Sequence, residues 1–137
     1  MIKAFVAALF MTCLLATGVQ AQDAKSIPDL KGTWESTSQL HFKEQGHVKS
    51  EGKAGKLDVL SQEGRVIHGA IEWNHKQSGK ETFSGVIDKD GVTFYLAGHT
   101  EGIRIGKLEG PDAFTLYILV PGGAKPRAGL AEYKRVK

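Results

Sequence analysis

Residues 80–99, KETFSGVIDKDGVTFYLAGH, show the pattern that runs through this chain: two short strand-like runs joined by a tight turn. Both runs are rich in Val, Ile, Phe, Tyr and Thr, which favour extended strands. Between them, Asp88-Lys89-Asp90-Gly91 has the Asp and Gly residues typical of a β-turn. Because so short a connection leaves the two runs side by side, the stretch predicts an antiparallel hairpin over 80–87 and 92–99.

The same alternation of strand and turn signals continues in both directions along the chain. No stretch after residue 21 keeps a 3.6-residue apolar period long enough to predict a helix. The predicted strands are 33–42, 56–61, 65–75, 80–87, 92–99, 102–108, 113–120 and 128–136. Short turns join consecutive strands, and closing the sheet removes both of its edges. The sequence therefore predicts an all-β fold, an eight-stranded antiparallel up-and-down β-barrel.

The first residues have the composition of a secretory signal peptide rather than of a barrel. Lys3 precedes an apolar run over 4–17, and small residues lead to a cleavage point after Ala21. Lipidation at Cys13, the alternative, lacks the leucine expected three residues earlier. The predicted organisation is a signal peptide (1–21), an N-terminal lead-in (22–31) and a single β-barrel domain (32–137). We expect a periplasmic or secreted bacterial protein.

Charge and cysteine content exclude several functions. The whole chain has 18 Lys and Arg, 15 Asp and Glu and a net charge of +3, which loss of Lys3 lowers to +2. So small a net charge does not indicate a nucleic-acid partner, and no second apolar run predicts a membrane span. The only cysteine, Cys13, leaves with the signal peptide. Disulfides, a thiolate nucleophile and a cysteine metal site are therefore not expected.

Neither metal binding nor catalysis has a sequence motif here. The five histidines are His41, His47, His68, His75 and His99. They form no His-x-His or His-Glu-x-x-His pattern, and His41 and His47 flank a segment predicted to be a flexible turn. The serines lie in no Gly-x-Ser-x-Gly elbow, and no triad can be assembled. We expect no metal, no cofactor and no enzymatic activity.

Period-two alternation assigns the strand residues to an inner and an outer face. The inward set is Ile67, Ile71, Trp73, Phe83, Ile87, Val92, Phe94, Leu96, Ile103, Ile105, Phe114, Leu116, Ile118 and Val120. Tyr95, Tyr117 and Leu119 then point outward and form a candidate homodimer face. The alternative is that these are scattered surface apolar residues, which are ordinary.

A tryptophan near the start of the barrel domain and an arginine near its end form a pair that can be interpreted together. Gly32-Thr33-Trp34 opens the first strand, and Arg135 lies near the end of the last. A flat indole can plug the barrel, and a guanidinium over its face gains a cation–π contact. These ends and the strand count resemble the calycin group of small exported barrels, the lipocalins and avidins. The resemblance implies that Gly32, Trp34 and Arg135 close the barrel. The resemblance does not extend to biotin binding, because Trp73 is the only tryptophan besides Trp34.

Two functions remain open at this point. An eight-stranded barrel has room to hold one small ligand at its mouth. We predict a small apolar ligand, with candidate contacts from Ser36, Ser38, Trp73, Phe83, Phe94 and Leu116. The alternative is a protein-interaction barrel with a filled core, such as an inhibitor or an envelope assembly factor. The basic loop over 43–56 is either a lid or a solvated hairpin tip.

Overall fold

The computed structural model describes residues 25–74 and 78–137, and all regular elements in these two ranges are β-strands. They are β1 (Gly32–Phe42), β2 (Gly46–Lys49), β3 (Gly55–Glu63), β4 (Val66–Asn74), β5 (Ser78–Ile87), β6 (Thr93–Gly98), β7 (Ile103–Gly110), β8 (Ala113–Val120) and β9 (Arg127–Arg135). The predicted signal peptide, residues 22–24 of the lead-in and His75 lie outside the described residues. No helix in the described ranges has the length and apolar character needed to cross a membrane.

The strands close into an eight-stranded antiparallel up-and-down barrel, which confirms the predicted fold class. From β3 to β9 each strand pairs with the next, and β9 pairs with β1 from Trp34↔Arg135 to Phe42↔Arg127. We call the end at Trp34 the lower end and the end at Phe42 the upper end. On its other side, β1 pairs with β3 in its lower part and with β2 in its upper part. Strands β2 and β3 therefore share one of the eight positions.

Strand β2 is a feature that the sequence did not predict. The segment 43–56 is rich in Gly and Lys and was expected to be a loop. In the structure, Gly46 takes a φ of +71° after the turn, and residues 46–49 return along β1. The backbone N–H of Ser50 then donates to the carbonyl of Ser38 at 2.9 Å. Residues 46–49 and 55–56 of this segment are therefore part of the barrel wall.

Large aromatic side chains fill the lower and middle parts of the interior. The ring of Phe114 lies 4.7 Å from Trp34, 5.1 Å from Phe94 and 4.9 Å from Tyr133, measured between ring centroids. Leu30, from the lead-in, covers the lower end, where its carbonyl accepts a 3.0 Å hydrogen bond from the Trp34 indole N–H. Burial of this cluster away from water is the main stabilising contribution that we identify.

Most of the predicted face assignments are confirmed. The buried apolar set includes Ile67, Ile71, Phe83, Ile87, Phe94, Leu96, Phe114, Leu116 and Val120. Tyr95, Tyr117 and Leu119 point outward and are 39%, 42% and 43% exposed. Val92 was predicted to point inward, and this is wrong: it is exposed because it belongs to the turn before β6.

Strand β7 requires a larger correction, because its predicted inner and outer faces are exchanged. Ile103 and Ile105 were expected inside, but Ile103 is 57% exposed. Arg104 and Gly106 point inward instead and are buried. Gly106 pairs with Phe94, and a Cβ at this glycine would lie 2.0 Å from the Phe94 Cζ. The inward aromatic ring on β6 therefore needs a glycine beside it, which fixes the phase of β7.

Candidate functional site

The lower end of the barrel is closed. The Arg135 guanidinium carbon lies 4.1 Å from the centroid of the Trp34 ring, a cation–π contact. Its Nη1 donates to the Lys31 carbonyl at 2.6 Å, and its Nε donates to Asp112 Oδ1 at 3.1 Å. Gly32 has a φ of +118°, and a Cβ there would lie 3.5 Å from Arg135 Nη1. The trio of Gly32, Trp34 and Arg135 thus lies together at the lower end.

A small cavity remains in the upper half of the interior. Its volume is about 40 Å³, enough for one or two water-sized groups. Its lining consists of Ser36, Ser38, Leu40, Gly55, Ile71, Trp73, Arg104, Ile118, Arg127, Ala131 and Tyr133. The walls are therefore partly apolar and partly made of hydroxyl and guanidinium groups, which is the usual composition of a small-molecule site.

A buried ion pair lies beside this cavity. The side chains of Glu81 on β5 and Arg104 on β7 are 0% and 3% exposed. Arg104 Nη2 donates to Glu81 Oε1, and Glu81 Oε2 accepts the backbone N–H groups of Thr100 and Glu101 at 3.0 and 3.2 Å. Both carboxylate oxygens are thus hydrogen-bonded, so the desolvation of Glu81 is largely compensated.

Arg104 is less completely satisfied than its partner. Its Nε and Nη1 atoms are buried and have no hydrogen-bond acceptor among the described residues. Arg104 also lines the cavity. A buried charged donor without an acceptor is costly, because the group has lost its water and gained nothing in return. An acceptor within hydrogen-bond distance of Nε or Nη1 would recover that loss.

Hydroxyl groups complete the polar part of the cavity. Ser36 and Tyr133 face each other across β1 and β9 and are hydrogen-bonded. Burial raises the pKa of Tyr133, although the bond to Ser36 and the charge of Arg104 act in the opposite direction. Tyr133 is therefore a neutral phenol at neutral pH, able to donate a hydrogen bond. The backbone N–H of Ser38 donates to the Ser50 hydroxyl oxygen at 2.8 Å, which holds β1 at this level.

Trp73 stands at the rim, between the cavity and the outer surface. It lines the cavity on one side and an open groove of about 580 Å³ on the other. The indole lies directly over Gly79 on β5, where a Cβ would be 2.3 Å from its Cζ2 atom. The groove is strongly charged, with an ion pair of 2.9 Å between Lys80 and Glu72. The apolar rim of the cavity thus gives way to a polar surface.

Of the six predicted ligand contacts, the structure brings three together. Ser36, Ser38 and Trp73 all line the cavity. The other three do not: Phe83, Phe94 and Leu116 are 0%, 2% and 0% exposed and belong to the closed aromatic and aliphatic core. Alternation shows which face of a strand points inward, but it does not show how far along the barrel axis a residue lies. That Ser36, Ser38 and Trp73 contact a ligand stays a prediction.

Sequence reasoning missed Arg104, Tyr133, Arg127 and the supporting Glu81. A usable signal was present for one of them. Glu81 shares the inward phase of β5 with Phe83 and Ile87, so alternation alone predicts a buried acid. Such an acid requires a buried basic partner, and Arg104 is found there once β7 is given its correct phase.

His41 and His47 flank the turn at 43–45, as the sequence predicted. They also lie opposite each other on β1 and β2, with ring centroids 4.8 Å apart. His99 is hydrogen-bonded through both ring nitrogens, to Thr82 at 2.7 Å and Ser84 at 2.9 Å. Within 25–74 and 78–137, no group of three or more His, Cys, Asp or Glu side chains could hold a metal ion.

Solved structures of other β-barrels are similar to this chain in fold. A redesigned β-barrel has a TM-score of 0.54 and 11% sequence identity, over 79% of this chain and 92% of its own. A de novo designed fluorescence-activating β-barrel has a TM-score of 0.51 and 13% identity, over 77% of this chain and 93% of its own. Comparison of the sequence with protein-family models and with curated proteins gives no match. The similarity therefore concerns the fold alone.

Proposed function

We propose that this protein is an exported, non-catalytic β-barrel that binds one small, largely apolar molecule in the upper half of its interior. The proposal of export rests on the leader-like residues 1–21. The resemblance to lipocalins and avidins supports binding at a barrel mouth, and a fluorescence-activating designed barrel is compatible with ligand binding in this fold. The absence of a nucleophile–base motif in the sequence supports binding rather than catalysis.

One observation carries the proposal. Arg104 is 2% exposed, lines the cavity, and keeps two nitrogens without an acceptor among the described residues. Around it, Leu40, Ile118 and Trp73 supply apolar walls, and Ser36 supplies a hydroxyl. A cavity with a few convergent polar groups in an apolar lining is the usual form of a ligand site.

The test is native mass spectrometry of the protein purified from a bacterial periplasm without denaturation. We expect a bound mass of a few hundred daltons that is lost on collisional activation. Ala131→Val, which places two more carbons beside the cavity, is expected to weaken binding at least tenfold. Ala128→Val, at an exposed position on the same strand, is the matched control. A bare mass in every preparation, or full binding by Ala131→Val, would contradict the proposal.

A second candidate function is protein interaction through the outside of the barrel, by an inhibitor-like or envelope assembly factor. Tyr95, Ile105 and Tyr117 lie side by side across β6, β7 and β8, and Ile103 pairs with Leu119 one level above. Large contiguous apolar patches of this kind often mark interaction sites. The simplest partner for this patch is a second copy of the chain.

Sedimentation velocity tests the homodimer. We expect a dimer for the unaltered protein and a monomer for Tyr117→Lys, because a charge in the centre of an apolar interface is costly. Thr37→Lys, on the exposed face of β1, is expected to leave the dimer intact. A monomer at all concentrations for the unaltered protein would remove this candidate.

A further inference from the structure

We propose that the ligand presents a carboxylate to Arg104, an inference that rests on the proposed function. Among the described residues that line the cavity, two are arginines, Arg104 and Arg127, and none is acidic. The remaining lining side chains with polar atoms are the hydroxyl residues Ser36, Ser38 and Tyr133 and the indole of Trp73. Positive charge combined with N–H and O–H donors matches an oxyanion and disfavours a cationic group.

The carboxylates that balance the two arginines lie behind them. Glu81 holds Arg104, and Glu101 Oε1 accepts a 2.6 Å hydrogen bond from Arg127 Nη2. Neither glutamate lines the cavity. Both guanidinium groups are therefore held in place before any ligand arrives, which lowers the ordering cost of binding. Glu81 is in this sense a positioning residue for Arg104.

The unsatisfied donors of Arg104 favour a charged acceptor over a neutral one. Nε and Nη1 are buried, and no described residue accepts their hydrogens. A carboxylate adds the attraction of its negative charge to the hydrogen bonds that it accepts from a guanidinium. An alcohol of the same length would accept a hydrogen bond without that attraction, and an amine would place a second positive charge beside Arg104.

The size and lining of the cavity indicate what the rest of the ligand is like. A volume of about 40 Å³ accommodates a head group but not a whole ligand of a few hundred daltons. Leu40, Ile118 and Trp73 form the apolar part of the lining. An organic monocarboxylate with an apolar tail, its head beside Arg104 and its tail toward the rim, fits both features.

The experiment compares three probes of equal chain length, octanoate, octan-1-ol and octylamine, by isothermal titration calorimetry on the protein purified from the periplasm. We expect octanoate to bind at least tenfold more tightly than octan-1-ol and octylamine to bind more weakly still. The double variant Glu81→Met/Arg104→Met removes the donors without leaving an unpaired buried charge. It should lose the preference for octanoate and keep its affinity for octan-1-ol.

A matched control removes one base and one acid from the outside of the barrel. Lys107→Met/Glu132→Met changes exposed residues of β7 and β9 and should keep the preference for octanoate. Equal binding of octanoate and octan-1-ol by the unaltered protein would overturn the carboxylate inference while leaving a ligand-binding barrel. If no probe binds and native mass spectrometry finds no ligand, the proposed function itself fails. Since the probe ratio is measured on the unaltered protein, the test stands even if the double variant does not fold.

Discussion

The buried pair of Glu81 and Arg104 offers a sharp test of how this barrel is stabilised. Arg104→Met would leave a carboxylate that is 0% exposed, with two backbone N–H donors from the described part of the chain, those of Thr100 and Glu101. Breaking a buried pair on one side costs about 3–5 kcal/mol. Because a domain of this kind is stable by only about 5–15 kcal/mol, a large part of its stability would be lost. Glu81→Met should cost a similar amount, since Arg104 would then have no hydrogen-bond acceptor among the described residues.

The double variant should behave quite differently from the sum of the two single variants. Glu81→Met/Arg104→Met removes both charges and leaves apolar side chains of similar length, a change that is often neutral or even stabilising by about 1–4 kcal/mol. The two effects are therefore strongly non-additive, as expected for residues in direct contact. Urea unfolding followed by tryptophan fluorescence measures all three variants on one scale.

The control for this cycle is the exposed set of Lys107→Met and Glu132→Met, single and combined. These changes should alter the free energy of unfolding by no more than about 0.5 kcal/mol. The reasoning is refuted if either inner single variant costs less than about 1 kcal/mol. It is also refuted if the double variant costs as much as the two single variants together.

Two further predictions concern the core and one turn. Gly106→Ala places a Cβ 2.0 Å from the Phe94 Cζ and should lower the free energy of unfolding in urea by about 1–3 kcal/mol. The control Gly122→Ala, where a Cβ would have nothing within 4 Å, should leave it almost unchanged. Equal costs for the two variants would contradict the packing argument. Hydrogen bonds from the Thr93 hydroxyl and from backbone N–H groups lower the pKa of Asp90 to about 2, below its unfolded value of about 3.9. The contribution of the Asp90 carboxylate to stability is thus complete above pH 4 and is lost as the pH falls through about 2. The difference in free energy of unfolding between the unaltered protein and Asp90→Ala should therefore shrink over that interval. A difference that stays constant with pH would contradict this linkage.

Local sequence patterns account for much of this fold. The runs over 80–87 and 92–99 and their Asp-Gly turn correspond to β5 and β6, because a short turn brings neighbouring strands together whatever the rest of the chain does. Trp34 and Arg135 meet because the first and last strands must pair to close a barrel. These conclusions depend on residues that are near in sequence or on a closure rule that applies to the whole class.

Other features depended on pairing partners that no local pattern reveals. Strand β2 is rich in polar residues, and it forms because the long strand β1 extends beyond β3 and offers it a free edge. The positions of Ile103 and Ile105 do not decide which face of β7 points inward. The two residues share one face of the strand, and that face could point into the barrel or toward solvent. The bulk of Phe94 on the neighbouring strand selected the phase that turns Gly106 inward.

The candidate site divides in the same way. Alternation along single strands was enough to place Ser36, Ser38 and Trp73 on the inner face. It was not enough to separate them from Phe83 and the rest of the closed core, because height along the barrel axis is set by the register of all eight strands together. The pairing of Glu81 with Arg104, 23 residues apart, likewise required the barrel to bring β5 and β7 to the same level. Strand number, order and closure thus follow from short-range periodicity and turns, whereas the cavity and its charges are long-range products of register and packing.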